Sequence, residues 1–418
     1  MMTRFKSRST YIKRGSLALT LAAVCMGSGN SALAQNEIIR GAIPPMPEIT
    51  YHPSPEGFQV EEFISDLQVV WTIRFLPDGR LMIAERPGRV RLASADGVLD
   101  PQPWLSVEDR VFFQGESGLT GLALHPDYPA VPWVYVMYTY IGDDGPRNRI
   151  SRFTEVNGRA GEETILLDGL AAQARGGSHS GGTLQFGPDG MLYAATGDAF
   201  ERQRSNDLND PSGAVLRLTP EGTVPADNPW ADNPIWAHGM RNPHGLSWQP
   251  ATGRLFTGDH GPTGEDQLMG HDRIVVLEGG RHHGWPIMVG AAGNPDYVDP
   301  ILTFAPASSP PGDTMFYTAD LMPSLQNDLF VSVLGFQPVE RQNLMRIRFQ
   351  DPANPLRPTA IERWFNDESG NSVYGRLRAL ATGPDGAIYV GTSNHDGRQM
   401  TASHREQPDR ILRISPAN

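Results

Sequence analysis

The apolar positions of this chain fall in short alternating runs, and the runs come in pairs joined by tight turns. "RFLPDGRLMIAER" (74–86), "ALHPDYPAVPWVYVMYT" (123–139), "QFGPDGMLYAATGD" (185–198), "SWQPATGRLFTGDHG" (247–261), "MPSLQNDLFVSVL" (322–334) and "ATGPDGAIYVGTSN" (381–394) each read as strand, turn, strand. Proline presets φ at the first turn position, Asp and Gly accept the remaining turn geometry, and apolar or aromatic residues alternate beyond it. Six such hairpins along one chain predict an all-β fold: a six-bladed β-propeller of four-stranded antiparallel sheets. Residues 58–71 and 410–416 read as strand ends that share a blade, which would close the ring and remove free edges. No amphipathic helical period of useful length lies between the repeats, and 45 Gly and 36 Pro suit a chain rich in turns.

The domain boundaries follow from the two segments outside the repeat. Residues 1–34 combine a basic start, an apolar run from Leu17 to Met26 and small residues at Ala32 and Ala34, the pattern of a secretory signal peptide. No later apolar run is long enough for a membrane span. Residues 35–57 are Pro-rich and predict an extended surface arm without chemistry, and residues 58–418 form the propeller.

Charge and cysteine content narrow the partners. Loss of the leader removes five basic residues (Arg4, Lys6, Arg8, Lys13 and Arg14) and no acid, so the formal charge of −12 becomes −17. An acidic surface argues against nucleic acid, which needs a basic face. The single cysteine, Cys25, lies inside the leader, where it is either a small apolar residue or a lipid attachment site that Val24 disfavours. The mature chain then has no disulfide and no thiolate metal ligand, and export points to the periplasm.

Four turns interrupt the repeat with residues capable of chemistry. In "GGSHSGGTLQFGPDG", His179 precedes a strand; it is either a general base or an exposed loop histidine. In "MRNPHG", Arg241 and Asn242 are held by Pro243, for anion or carbonyl recognition or for capping a turn. "GDHGPTGED" sets the carbonyls of Gly261 and Pro262 among Asp259, Glu265 and Asp266, an oxygen-only supply for a hard cation or a solvated acidic turn. In "YGRLRALATGPDG", Arg376 and Arg378 are two residues apart and share one strand face, around a bound multi-carboxylate or on a solvated edge. No Ser nucleophile elbow, Walker loop, dinucleotide fingerprint or His-Glu-x-x-His pattern occurs.

Taken together, "GESGLTGLALHPDY", "HSGGTLQFGPDGMLYAATGD", "HGMRNPHGLSWQP", "DHGPTGED", "GWP" and "GRLRALATGPDG" resemble the soluble quinoprotein aldose and glucose dehydrogenases, the glucose/sorbosone dehydrogenase family. The likeness runs in order over most of residues 58–416. It implies pyrroloquinoline quinone (PQQ) and Ca2+ at the channel mouth, an aldose sugar or related alcohol as substrate, and an external electron acceptor. His179 would be the base that takes the anomeric proton, and Arg241, accompanied by Asn242, would stabilise charge on the quinone oxygen. The carbonyls of Gly261 and Pro262 would hold the calcium, Asp266 would lie below that turn, and Arg376 and Arg378 would cover the cofactor carboxylates. The chain departs from the family pattern at four positions: Gly335 where a lysine is usual, Glu116 for a common glutamine at the cofactor, Ser178 for an acid that grips the sugar, and Gln267 for a glutamate. The missing lysine contact, worth about 1.5–3 kcal/mol, weakens the expectation of PQQ binding. A calcium-dependent propeller lactonase and a carbohydrate-binding propeller without cofactor are the rival expectations.

Overall fold

A computed structural model describes residues 37–335, 341–396 and 406–417; the leader and Cys25 lie outside them. The repeat unit forms as the turn chemistry dictates. In the first, Gly79 N–H donates to Leu76 O at 2.9 Å, Gly79 takes φ 88°, and Asp78 Oδ1 accepts Arg80 N–H at 3.1 Å. The same bonds recur at 187–191 and 383–387, with Gly190 at φ 76° and Gly386 at φ 80°. Only glycine adopts that backbone without steric cost, which fixes the hairpin register.

Six antiparallel sheets result, so the chain is an all-β, six-bladed propeller. The innermost strands are Val70–Phe75, Leu119–Leu124, Leu184–Phe186, Pro243–Trp248, Pro311–Phe316 and Leu377–Thr382. Neighbouring inner strands contact one another around a central channel, except that the third blade meets Pro243–Trp248 through its second strand, Leu192–Thr196. The blades stack through apolar faces, for example Met82, Ala84 and Val90 of the first against Leu122, Val134 and Val136 of the second. Among the described residues the helices are short 3-10 turns, and none is long and apolar enough to cross a membrane.

Ring closure is as expected: Phe58–Leu67 pairs antiparallel with Asp409–Pro416 as the outer strand of the sixth blade. The expected continuous strand over 58–71 is broken, however. Val69 takes φ 50° and its N–H donates to Asp409 Oδ2 at 2.7 Å, because the chain must pass from the rim of one blade to the channel strand of the next.

The arm is extended, as its prolines suggest, but it is docked and not merely draped. Ile39–Arg40 pairs in parallel with Met288–Val289, and Glu48–His52 adds a parallel fifth strand against Ala360–Trp364. Ile38 is buried beside Leu268, Trp285 and Val289, next to the turn that follows Gly261.

Candidate functional site

An antiparallel hairpin brings the start of its first strand and the end of its second to the same place. The propeller repeats this six times around the channel, so residues at those two positions meet at one mouth. Arg241 and Gly261 therefore stand side by side at the open end of one hairpin, where Pro243 pairs with Asp259. The residues between them in sequence form the turn at the far end.

The mouth holds a cavity of about 200 Å³ lined by Glu116, Ser178, His179, Arg241, Gly261, Gly335 and Arg376 among others. Seven of the residues singled out from sequence thus converge. Asn242, Pro262, Arg378 and Asp266 stand off its wall.

His179 is buried, takes φ 55° and places Nδ1 2.6 Å from Asp198 Oδ1. Asp198 also accepts Trp285 Nε1–H at 2.9 Å and Phe200 N–H at 2.8 Å, which fixes the carboxylate. Burial pushes the Asp198 carboxyl up, but the His179 charge and hydrogen bond, with Arg241 beyond, hold it below the usual range. An ionised Asp198 accepts the Nδ1 proton, so Nε2 is left as the basic nitrogen of the ring.

Arg241 is buried, with its guanidinium on Glu265 Oε1 at 2.6 Å and Thr263 Oγ1 at 3.0 Å. Burial pushes the Glu265 carboxyl up, yet the Arg241 charge holds it below its ordinary value. Asp266, the expected acid beneath the metal turn, instead faces away: φ 48° swings it outward to accept Ile38 N–H at 2.9 Å and pair with Arg202 at 3.0 Å. Glu265 occupies the inward position.

Asn242 is fully buried as a brace, not a wall. Its Oδ1 accepts Gly181 N–H at 3.1 Å and its Nδ2 donates to Glu116 Oε2 at 2.9 Å, tying the second, third and fourth blades. Asp259, offered by sequence as a cation ligand, accepts the N–H groups of Arg241 and Asn242 at 3.1 and 2.8 Å and pairs with Arg273 at 2.7 Å. Removing a buried partner leaves a charge stranded, so Asp259→Ala is expected to lower unfolding free energy by about 3–5 kcal/mol in urea titration. A loss below about 1 kcal/mol would show that the pair carries no load.

Arg376 and Arg378 do share an anion, but it belongs to the chain. Asp396 Oδ2 lies 2.7 Å from Arg376 Nε and 3.7 Å from Arg378 NH2. A bulge between Leu377 and Leu380 separates the two arginines: Arg376 reaches the cavity, and Arg378 lies 3.7 Å over the Trp71 ring.

Gly261 is required by packing, since a Cβ there would lie 2.1 Å from Gly270 O. Its N–H donates to Asp272 Oδ1 at 2.9 Å, which presents another buried carboxylate to the cavity. Gly335 takes φ 72°, a backbone at which lysine would be strained. Sequence reasoning missed Asp198, Asp396 and Asp272, although "TGD" closes the repeat at both Asp198 and Asp259.

A propeller with a histidine–aspartate pair, buried arginines and an oxygen-rich turn at one channel mouth defines the class. The model of the glucose/sorbosone dehydrogenase family matches residues 67–401, and the chain belongs to that family. It is 28% identical to the aldose sugar dehydrogenase YliI of Escherichia coli over 84% of this chain and 94% of that one. A solved Thermus thermophilus structure, assigned as an oxidoreductase of glucose dehydrogenase type, is 40% identical with TM-score 0.75, covering 86% of this chain and 100% of that one. The PQQ-bound aldose sugar dehydrogenase of Streptomyces coelicolor is 26% identical with TM-score 0.70, covering 86% and 99%.

Proposed function

We propose that the protein is an exported, periplasmic, PQQ-dependent dehydrogenase that oxidises an aldose sugar at its anomeric carbon and hands the electrons to an external acceptor. The observation that carries this reading is the buried His179, backed by Asp198, on a cavity wall shared with Arg241 and Arg376. The donor set suits a flat tricarboxylate: two guanidiniums on the wall, with Asn242 and Arg378 behind as supports. Carbonyls of Gly261 and Pro262 supply the hard oxygens that calcium prefers, in a turn where no Cβ fits at Gly261.

When bound, PQQ supplies a two-electron hydride acceptor and calcium the Lewis acidity that polarises it. The chain does the rest. His179 Nε2 takes the anomeric hydroxyl proton as the C1 hydride departs, and Asp198 steadies the imidazolium that forms. Arg241 faces the charge that develops at the cavity wall, and Phe200, whose ring lies 4.7 Å from His179, shields that ring from water. Ser178, beside the base, offers a hydroxyl where an acid would grip glucose, so substrate preference is expected to move away from glucose.

Reconstitution tests the reading. Dye reduction with a panel of aldoses is expected only when both PQQ and Ca2+ are added to the purified chain. Lactone hydrolysis without quinone, or sugar binding with no dye reduction on any aldose, would overturn it.

A further inference from the structure

We propose that Glu116, His244 and His260 form a transition-metal site of two imidazoles and one carboxylate, adjoining the oxygen turn at Gly261. One donor atom from each lies within 4.8 Å of the others, and all three residues are buried. The convergence is built by the hairpin. His244 pairs with Gly258 across the fourth blade, so His260, two residues further, is its diagonal neighbour on the same face. The two rings lie 4.7 Å apart at 32°. Glu116 arrives from the loop before the second blade.

Outer contacts orient two of the three groups as metal ligands require. His260 Nε2 lies 2.6 Å from Pro311 O, so that nitrogen carries the proton and Nδ1 carries the lone pair. Glu116 Oε2 accepts His179 N–H and Asn242 Nδ2–H, both at 2.9 Å, which holds the carboxylate in place. Donors around a single ion at about 2.0–2.2 Å stand roughly 3–3.5 Å apart, so a small closing of the rings completes the shell. Three protein ligands leave open positions, and Glu116 and His260 both line the cavity, which provides an entry path. Nitrogen donors select zinc, cobalt or iron(II) over calcium, so this site and the carbonyl turn take different ions.

Cobalt(II) is the probe, added to untagged full chain in excess Ca2+. One Co2+ per chain is expected, with visible ligand-field bands and displacement by Zn2+. His244→Gln and His260→Gln are each expected to weaken binding at least a hundredfold while far-ultraviolet circular dichroism is unchanged. X-ray absorption on the loaded wild-type chain reads the shell without any variant and should show two imidazoles. Arg376→Ala is expected to lose PQQ-dependent dye reduction and keep the cobalt bands, so failure of the dehydrogenase reading and failure of this one are separable. A shell without imidazole, binding that survives both histidine changes, or abolition by Ca2+ overturns the proposal.

Discussion

Replacing His179 with alanine is expected to lower kcat for reconstituted sugar oxidation by about 10²–10⁴, the usual contribution of a positioned general base. KM should move little, because the lost group acts on a proton that is in flight only in the transition state. The geometry makes the expectation specific. Asp198 is anchored from three sides, by Trp285, Phe200 N–H and His179, so the imidazole is held in one tautomer by a carboxylate that does not move. His179→Asn gives a second variant without a basic nitrogen whose residue type tolerates φ 55°. Asp198→Asn should lower the rate in the same direction, since an amide has one acceptor oxygen for donors on both sides, cannot stabilise the imidazolium, and sets its NH2 against either His179 Nδ1–H or Trp285 Nε1–H. Stopped-flow reduction at saturating PQQ and Ca2+ separates the chemical step from dye turnover. Activity within tenfold of wild type in both His179 variants would place the base elsewhere.

The blades were legible because their signal is local. Leu76–Gly79, Gly187–Gly190 and Gly383–Gly386 specify their turns within four residues, and the apolar alternation on either side specifies the strands. Arg241 and Gly261 were legible as special residues for the same reason: each sits where the repeat stops. Their partners were not. Which acid meets Arg241 depends on Asp266 turning outward at φ 48°, a backbone detail with no compositional trace, so Glu265 inherits the contact. Asp396 reaches Arg376 only through the fold of the sixth blade, 20 residues on.

One regularity was present in the repeat and is visible only with the structure. The residue at the end of the second strand, or two residues past it, accepts backbone or side-chain donors from the segment that leads into the first. Asp198 does so with His179, Asp259 with the N–H groups of Arg241 and Asn242, and Asn394 with Arg376 N–H at 2.9 Å. Three blades thus use one position to lock their functional residue. Scaffold and site are built from the same repeat, and only the side chain that is locked differs. The open hairpin ends also explain why the arm matters: Asp266, spent on Ile38, tethers the arm to the turn that carries Glu265.

Arg241→Ala is expected to reduce kcat by about 10²–10³, the range for removing one preorganised donor aimed at developing charge. Burial and fixation set the size of the effect. The guanidinium is 2% exposed, held by Glu265 Oε1 and Thr263 Oγ1 on one edge and lying 5.7 Å from the Trp285 ring, while its own N–H is pinned by Asp259. Such a cation does not reorganise during the reaction, and low local dielectric strengthens its field. Glu265 is one-fifth exposed and reaches water when the partner is gone, so the fold should tolerate the change. Arg241→Lys separates charge from geometry: an ammonium keeps the sign but loses the rigid fork, and an intermediate rate is expected. Equal loss in the alanine and lysine variants would mean that the fork, not the charge, does the work. Full activity in the alanine variant would remove Arg241 from the reaction and leave it as a brace for the Glu265 turn.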